Sequence, residues 1–221
     1  MASNFGKTIQ VSTFGASHGY AIGGIVEGLP CGHTIDIDEL QAFLKRRAPG
    51  QNQLQTQRKE ADIPEFLSGM VDGMLSGSPL AFMIRNTSQH SGDYNNLRDI
   101  PRPSHADFTA RMRYGDKVDM RGGGHFSARL TAPLCVAGGI ALQLLREKGI
   151  EIHGHLKQVG TIQDTPIDMV HPDMKALREI ATEPIAMLDA DKRSEVENLV
   201  MKLKKDGDST GGIVEVVATG L

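Results

Sequence analysis

The sequence predicts an α+β fold in one domain spanning residues 1–221, and three observations carry that expectation. Short runs rich in β-branched and small residues, bounded by glycine, occur near both ends of the chain. Between and after them lie segments whose apolar residues recur at helical spacing. No repeat, low-complexity tract or linker divides the chain, and 221 residues suffice for one good core.

The elements follow in order. Residues 8–13 and 20–28 read as a pair of strands, the second ending at Leu29-Pro30-Cys31-Gly32. Residues 36–47 read as a helix: Leu40, Phe43 and Leu44 make an apolar stripe, acids stand at the start and bases at the end, and Pro49-Gly50 stops it. A polar, glutamine-rich loop covers 50–62. Residues 66–74 and 80–85 look like strands between glycine turns. Residues 86–125 hold almost no periodic segment, which argues for a binding region. A long apolar helix is expected over 127–148, with Pro133 in its first turn and Val136, Ile140, Leu144 and Leu145 buried. Strands over 151–163, amphipathic helices over 173–182 and 191–205, and a strand over 211–219 complete the chain.

Composition narrows the function. The net charge is −3, aromatics are 5% and Trp is absent, so neither a nucleic-acid magnet nor a base-stacking platform is indicated. No run of eighteen apolar residues and no hydrophobic signal segment occur, so a cytoplasmic protein without a membrane span is expected. Cys31 and Cys135 lie far apart in apolar contexts and read as two buried thiols. No Cys/His spacing suggests zinc; His153 and His155 share a strand face but lack a third ligand, and no metal is expected.

Basic residues are concentrated locally. Lys45, Arg46, Arg47, Arg58 and Lys59 meet only Glu60 and Asp62, and the stretch from Arg98 to Arg129 is also basic. The most informative segment is 101–132, which places Arg102, His105, Arg121, His125 and Arg129 around Gly122-Gly123-Gly124. Glycine lets backbone approach a ligand, the guanidinium fork suits carboxylate and phosphate, and histidine moves protons near neutral pH. The N-terminus of the long helix is expected to carry the Gly-Gly-Gly-His-Phe-Ser run, and a helix N-terminus favours an anion. Near the start, Phe14-Gly15-Ala16-Ser17-His18-Gly19 sets a second histidine in a turn. Together these blocks describe a site for a small polyanion on which proton chemistry is done.

The blocks, in this order, resemble those of chorismate synthase. The family has Gly-Glu-Ser-His-Gly where this chain has Gly15-Ala16-Ser17-His18-Gly19. Its Arg-Arg-Arg-Pro-Gly and Thr-x-Arg-x-Glu-x-Asp match residues from Arg46 to Gly50 and from Thr56 to Asp62. Its Arg-Pro-Gly-His-Ala-Asp and Gly-Gly-Gly-Arg-Ser-Ser-Ala-Arg-Glu-Thr match the runs starting at Arg102 and Gly122. Ile84-Arg85-Asn86, Ser91-Gly92-Asp93-Tyr94 and the closing Ala218-Thr219-Gly220-Leu221 are also alike. The chain departs from the pattern at Ala16, Ala48, Gln53, His125, Phe126 and Leu130, each of which removes or alters a polar or charged group.

The resemblance implies a β-α-β sandwich with helices between antiparallel sheets, a homotetramer, and a C-terminal portion beyond residue 221. It implies a 1,4-elimination of phosphate from 5-enolpyruvylshikimate 3-phosphate that needs reduced FMN, with NADPH as its reductant. Two carboxylates and a phosphate explain the demand for arginines. Arg47, Arg102 and Arg129 are the first substrate ligands so implied, with Arg46 and Ser17, then Arg58 and Arg121. His105 is implied as the acid assisting phosphate departure, and His18 as the proton-handling group beside the flavin. His125, Phe126 and Ser127, with His18 and Arg47, fall at flavin-contacting positions. A piece lacking the remainder is expected to bind FMN poorly, to be inactive alone, and to expose sheet edges. A flavin-independent phosphate lyase or hydrolase and a non-catalytic anion-binding module are the alternatives.

Overall fold

The computed structural model describes residues 3–50, 54, 60–87 and 100–221. They form two compact units, one of Met1–Gln51 with Gln57–Gln143, the other of Asn52–Thr56 with Leu144–Leu221. Helices are mixed with antiparallel sheets, as the α+β expectation requires.

The first unit is built on a five-stranded sheet. Its strands are β1 (Asn4–Gly6), β2 (Gln10–Gly15), β3 (Ala21–Glu27), β4 (Pro64–Ser68) and, after a small hairpin of β5 (Met70–Val71) and β6 (Met74–Leu75), β7 (Leu80–Arg85). The order β1-β2-β3-β7-β4 is antiparallel throughout. Alternation sends Leu80, Phe82 and Ile84 of β7, with Ile22 and Val26 of β3, into the core. The expected strand over 66–74 is instead the end of β4 and the start of the hairpin, because the chain turns at Gly69 and again at Asp72-Gly73, all at positive φ.

Helix α1 (Ile37–Arg47) starts where predicted: Asp36 caps it by accepting from the Glu39 backbone N–H at 2.9 Å. Leu40 and Leu44 are its buried stripe. Helix α2 (Asp107–Tyr114) was not expected and corrects the reading of 86–125 as irregular; residues 88–99 lie outside the described part. Its Phe108 and Met112 are exposed and only Asp107 and Ala110 are buried, so no inward apolar stripe announces it.

Helix α3 (Thr131–Arg146) begins four residues later than expected and carries Pro133 in its first turn. Val136 and Ile140 are buried as expected, whereas Leu144 and Leu145 are only half-buried. The apolar run from Arg121 to Arg146 is long enough in composition to cross a membrane. It is not one helix, however: Gly122, Gly123 and Gly124 have non-helical backbone and Ser127 is extended. The continuous α-helix has 16 residues, fewer than the roughly 20 a span requires.

The second unit contains a sheet of order β10-β8-β9, made of β8 (Glu151–Val159), β9 (Ile162–Gln163) and β10 (Gly212–Thr219), with helices α4 (Met174–Ile180) and α5 (Ala190–Asp206). Asp173 and Asp189 cap the two helices, and Gly207 ends α5 in the left-handed conformation. Leu177, Ile180 and Val217 form one small core, and Ile185, Met187 and Val196 another.

A buried histidine ties this unit together. His155 on β8 sets Nδ1 2.9 Å from Asp164 and Nε2 3.1 Å from Glu215 of β10. An imidazolium, with an N–H on each side, satisfies both carboxylates. Asp164 also accepts from the Leu188 and Asp189 backbone N–H groups at 2.7 and 2.9 Å. Burial would raise its carboxyl, yet these donors and His155 hold it below its usual range. His153 pairs separately with Glu151 at 3.2 Å. Of the two thiols expected to be buried, Cys31 sits on an exposed turn after β3 and Cys135 is half-buried, where desolvation raises its pKa.

Candidate anion-handling site

The histidine turn follows β2. Gly19 N–H donates to the Ala16 carbonyl at 3.0 Å, which closes residues 16–19 into a tight loop with Ser17 and His18 buried at its tip. The Ser17 hydroxyl lies 3.0 Å from the Gly122 carbonyl, 3.2 Å from that of Arg121 and 3.1 Å from His18 Nδ1. It has one hydrogen to give. When that hydrogen goes to a carbonyl, His18 Nδ1–H donates to the hydroxyl oxygen and, in the neutral ring, Nε2 carries the lone pair. Sequence position 122 must be glycine here: φ is +58°, and a Cβ would land on the His18 ring.

The glycine run therefore packs under the histidine turn. It does not cap α3. A 3-10 turn, Ala128–Leu130, stands between them, and its own first donor, Arg129 N–H, is satisfied by the Ser127 hydroxyl at 3.3 Å. The helix-terminus reading of this run is thus corrected.

Two of the three leading arginines meet at one carboxylate. Arg47, the last residue of α1, and Arg129 each direct Nη1 to a different oxygen of Asp62. Asp62 is buried and holds φ = 50°, a conformation uncommon for a residue with a side chain. Arg47 Nε donates to the Thr131 hydroxyl at 3.3 Å. Arg129 Nε donates to the Asn86 carbonyl oxygen at 3.2 Å, and Nη2 lies 3.8 Å from Glu60. That Nη2 is buried and has no hydrogen-bond acceptor among the described residues. Glu60 is itself held by Thr87, whose backbone N–H and hydroxyl donate at 3.0 and 2.8 Å.

Arg102 and His105 form a second cluster on the turn before α2. Arg102 makes a bidentate pair with Asp107 at 2.8 and 2.9 Å, and its backbone N–H adds a third bond at 3.1 Å. The paired guanidinium keeps the Asp107 carboxyl below its usual range, against the opposing effect of burial. Arg102 also reaches the Met120 carbonyl at 3.3 Å, tying this turn to the start of the glycine run. His105 is exposed, with Nδ1 2.9 Å from the Pro103 carbonyl. Ser104, standing where the family motif has glycine, holds φ = 59°.

The remaining candidates are placed as follows. Arg46 lies over the Phe43 ring, and burial lowers its pKa. Arg121 pairs with Asp119 at 2.8 Å near the surface. His125 spends both ring nitrogens, Nδ1 on the Gly15 carbonyl at 2.8 Å and Nε2 on the Ser3 hydroxyl at 2.7 Å. Phe126 packs on Tyr114 with ring centroids 6.3 Å apart. Arg58 and Gln53 lie outside the described residues. Asp62, Glu60 and Asn86 are the polar residues that sequence reasoning did not assign; the first two stand inside a quoted motif and the third in connecting text.

Fold and site together define an α+β protein in which Arg47 and the buried Arg129 share one carboxylate and a glycine-bounded turn holds a histidine. The chorismate synthase family model matches residues 9–221. The chain is 43% identical to the chorismate synthase of Lancefieldella parvula, over 100% of this chain and 61% of the relative. It is 44% identical to that of Ralstonia pickettii, over 99% of this chain and 58% of the relative. A crystal structure of chorismate synthase superposes with TM-score 0.73 and 25% identity, covering 96% of this chain and 58% of the other. The chain belongs to the chorismate synthase family, and it spans about three-fifths of the length of the curated relatives it matches.

Proposed function

We propose that the chain contributes to its family's elimination: a ring proton and phosphate leave 5-enolpyruvylshikimate 3-phosphate in a 1,4 sense to give chorismate. The observation that carries this reading is the buried Arg129 Nη2, without an acceptor among the described residues, in the ion-pair cluster linked through Asn86 to the turn bearing His18. A buried donor left unmade costs about 1–3 kcal/mol or more, and an anionic oxygen of a ligand would satisfy it. Arg47 and Arg129 would orient the anion, with Arg46 and Ser17 beside them. Arg102 would act by fixing the turn that carries His105. His105, exposed and at liberty to turn, would donate a proton to departing phosphate. His18, whose neutral ring would carry the lone pair on Nε2, would take up or return a proton there beside the flavin.

The same donor set fits reduced FMN in part. Arg129 Nη2 suits an anionic group, and the Phe126 and Tyr114 rings offer an apolar wall. His125 and Ser127 direct their side chains to bonds within the chain. When bound, reduced FMN would supply electron density for the elimination with no net redox change. NADPH as its reductant, a homotetramer, a sandwich of one domain, and a cytoplasmic setting belong to the same proposal.

The inward bonds of His125 and Ser127 favour one second reading, a phosphate lyase that works without flavin. One anaerobic experiment separates the two: phosphate release from the substrate, with reduced FMN and without it. Release only with reduced FMN is expected. Release that ignores flavin selects the second reading, and binding of substrate without release would leave only an anion-binding module.

A further inference from the structure

Asn86 follows the last residue of β7, and only 8% of its surface is exposed. Its backbone N–H extends the ladder to the Tyr20 carbonyl at 3.1 Å. Its side-chain amide donates to the carbonyls of Ala16 at 3.0 Å and Gly19 at 2.8 Å, the two residues that bracket Ser17 and His18. Its carbonyl oxygen accepts from Arg129 Nε at 3.2 Å. The Ala16 carbonyl thus takes two donors, the Gly19 N–H that closes the turn and the Asn86 amide that anchors it.

We propose that Asn86 is the positioning residue for His18, transmitting the arrangement of the Arg47–Asp62–Arg129 ion pairs to the histidine turn. A primary amide is the short side chain that can donate twice and accept once from one plane. An aspartate would set a carboxylate against two carbonyls, and a serine or threonine offers a single hydrogen. Fixing both ends of a four-residue turn leaves its tip one orientation, with the ring seated over Gly122. Groups that support a reacting side chain in this way are what hold its geometry. The proposal rests on the reading of His18 as a proton-handling group, but its test reads the ring and not turnover.

The experiment is a pH series of long-range ¹H–¹⁵N histidine spectra on the labelled 221-residue chain. Asn86→Asp and Asn86→Ala are compared with wild type and with Gly122→Ala, whose methyl must displace the His18 ring. Both Asn86 variants should move the His18 ring resonances toward the Gly122→Ala pattern and shift the His18 titration by roughly half a pH unit or more. His155, in the other unit, should keep its resonances. A His18 signature identical to wild type in variants of lowered melting temperature would overturn the proposal. Should the variants not fold, scalar couplings across the hydrogen bonds from Asn86 Nδ2 to the Ala16 and Gly19 carbonyls in wild type decide it: both present supports the role, both absent refutes it. A displaced His18 ring confirms the positioning by itself; turnover unchanged by the same substitution in the intact protein would refute only the catalytic reading of His18.

Discussion

At the residue scale the arginines divide by what they already hold. Arg129 is 3% exposed in its side chain and faces Asp62 and Glu60, which are as deeply buried. Arg129→Ala would leave two carboxylates without their shared cation, and unfolding in urea should show a loss of about 3–5 kcal/mol, the scale of a broken buried pair. Arg47, with 21% of its side chain exposed, should cost less when removed, because water can reach the Asp62 oxygen it leaves. His105 is the opposite case. It is exposed and its one described bond is to its own turn, so His105→Ala should leave the melting temperature nearly unchanged. In the intact protein it should lower kcat by roughly 10²-fold or more, the scale for a lost general acid. Near-normal kcat in that variant would remove His105 from the chemistry.

Residue types were legible in the sequence where the backbone dictates them and illegible where partners do. His18 and Gly122 could be read because a histidine between glycines and a triple glycine are local signals. That Asp62 would take both Arg47 and Arg129 could not, since the three residues come from three distant segments. Asn86 gave no local signal either, because its role lies in carbonyls 67 and 70 positions away. The triplet at 125–127 was read as cofactor-facing on resemblance alone. The bonds of His125 to Ser3 and Gly15 depend on where β1 and β2 run, which local pattern does not reveal.

At the element scale the same distinction holds. Helix α1 was readable because its cap, stripe, terminal charges and Pro-Gly stop agree. Helix α2 was not, because its buried residues are an aspartate and an alanine. That aspartate makes a prediction about the start of α2. The folded-state pKa of Asp107 is depressed, chiefly by its bonds from Arg102. The stabilisation is therefore fully present above the unfolded value, about 3.9, and is lost as pH falls through the lower folded value. Asp107→Asn should melt earlier than wild type at neutral pH, and the gap should close progressively below about pH 4. A gap that stays constant from pH 7 to pH 3 would show that the charge of Asp107 contributes nothing.

At the scale of the whole molecule, the surface of the second unit stands out. Among the described residues β10 lies at the end of its sheet, and its Ile213, Val214 and Val216 are exposed. Unpaired backbone beside exposed β-branched side chains is a template for further strand pairing. Light scattering or sedimentation should show concentration-dependent association of the chain, and Val216→Lys should reduce it. Equal association of the two proteins would place the contact elsewhere. Charge and composition gave no hint of this face, because alternating valines read alike whether a strand is covered or bare; exposed sheet edges were expected only from the resemblance.

The contact between Gly122 and His18 has a consequence for how the family can vary. The ring of one residue occupies the volume that any side chain at the other would need, and the left-handed backbone penalises such a side chain even if the ring were gone. The two positions therefore cannot drift independently. A lineage that gives up the histidine could open space at position 122, yet the glycine would still be retained by its backbone alone. A lineage that changes the glycine first must displace the histidine in the same step. Substitution histories should show the histidine lost before the glycine and never the reverse.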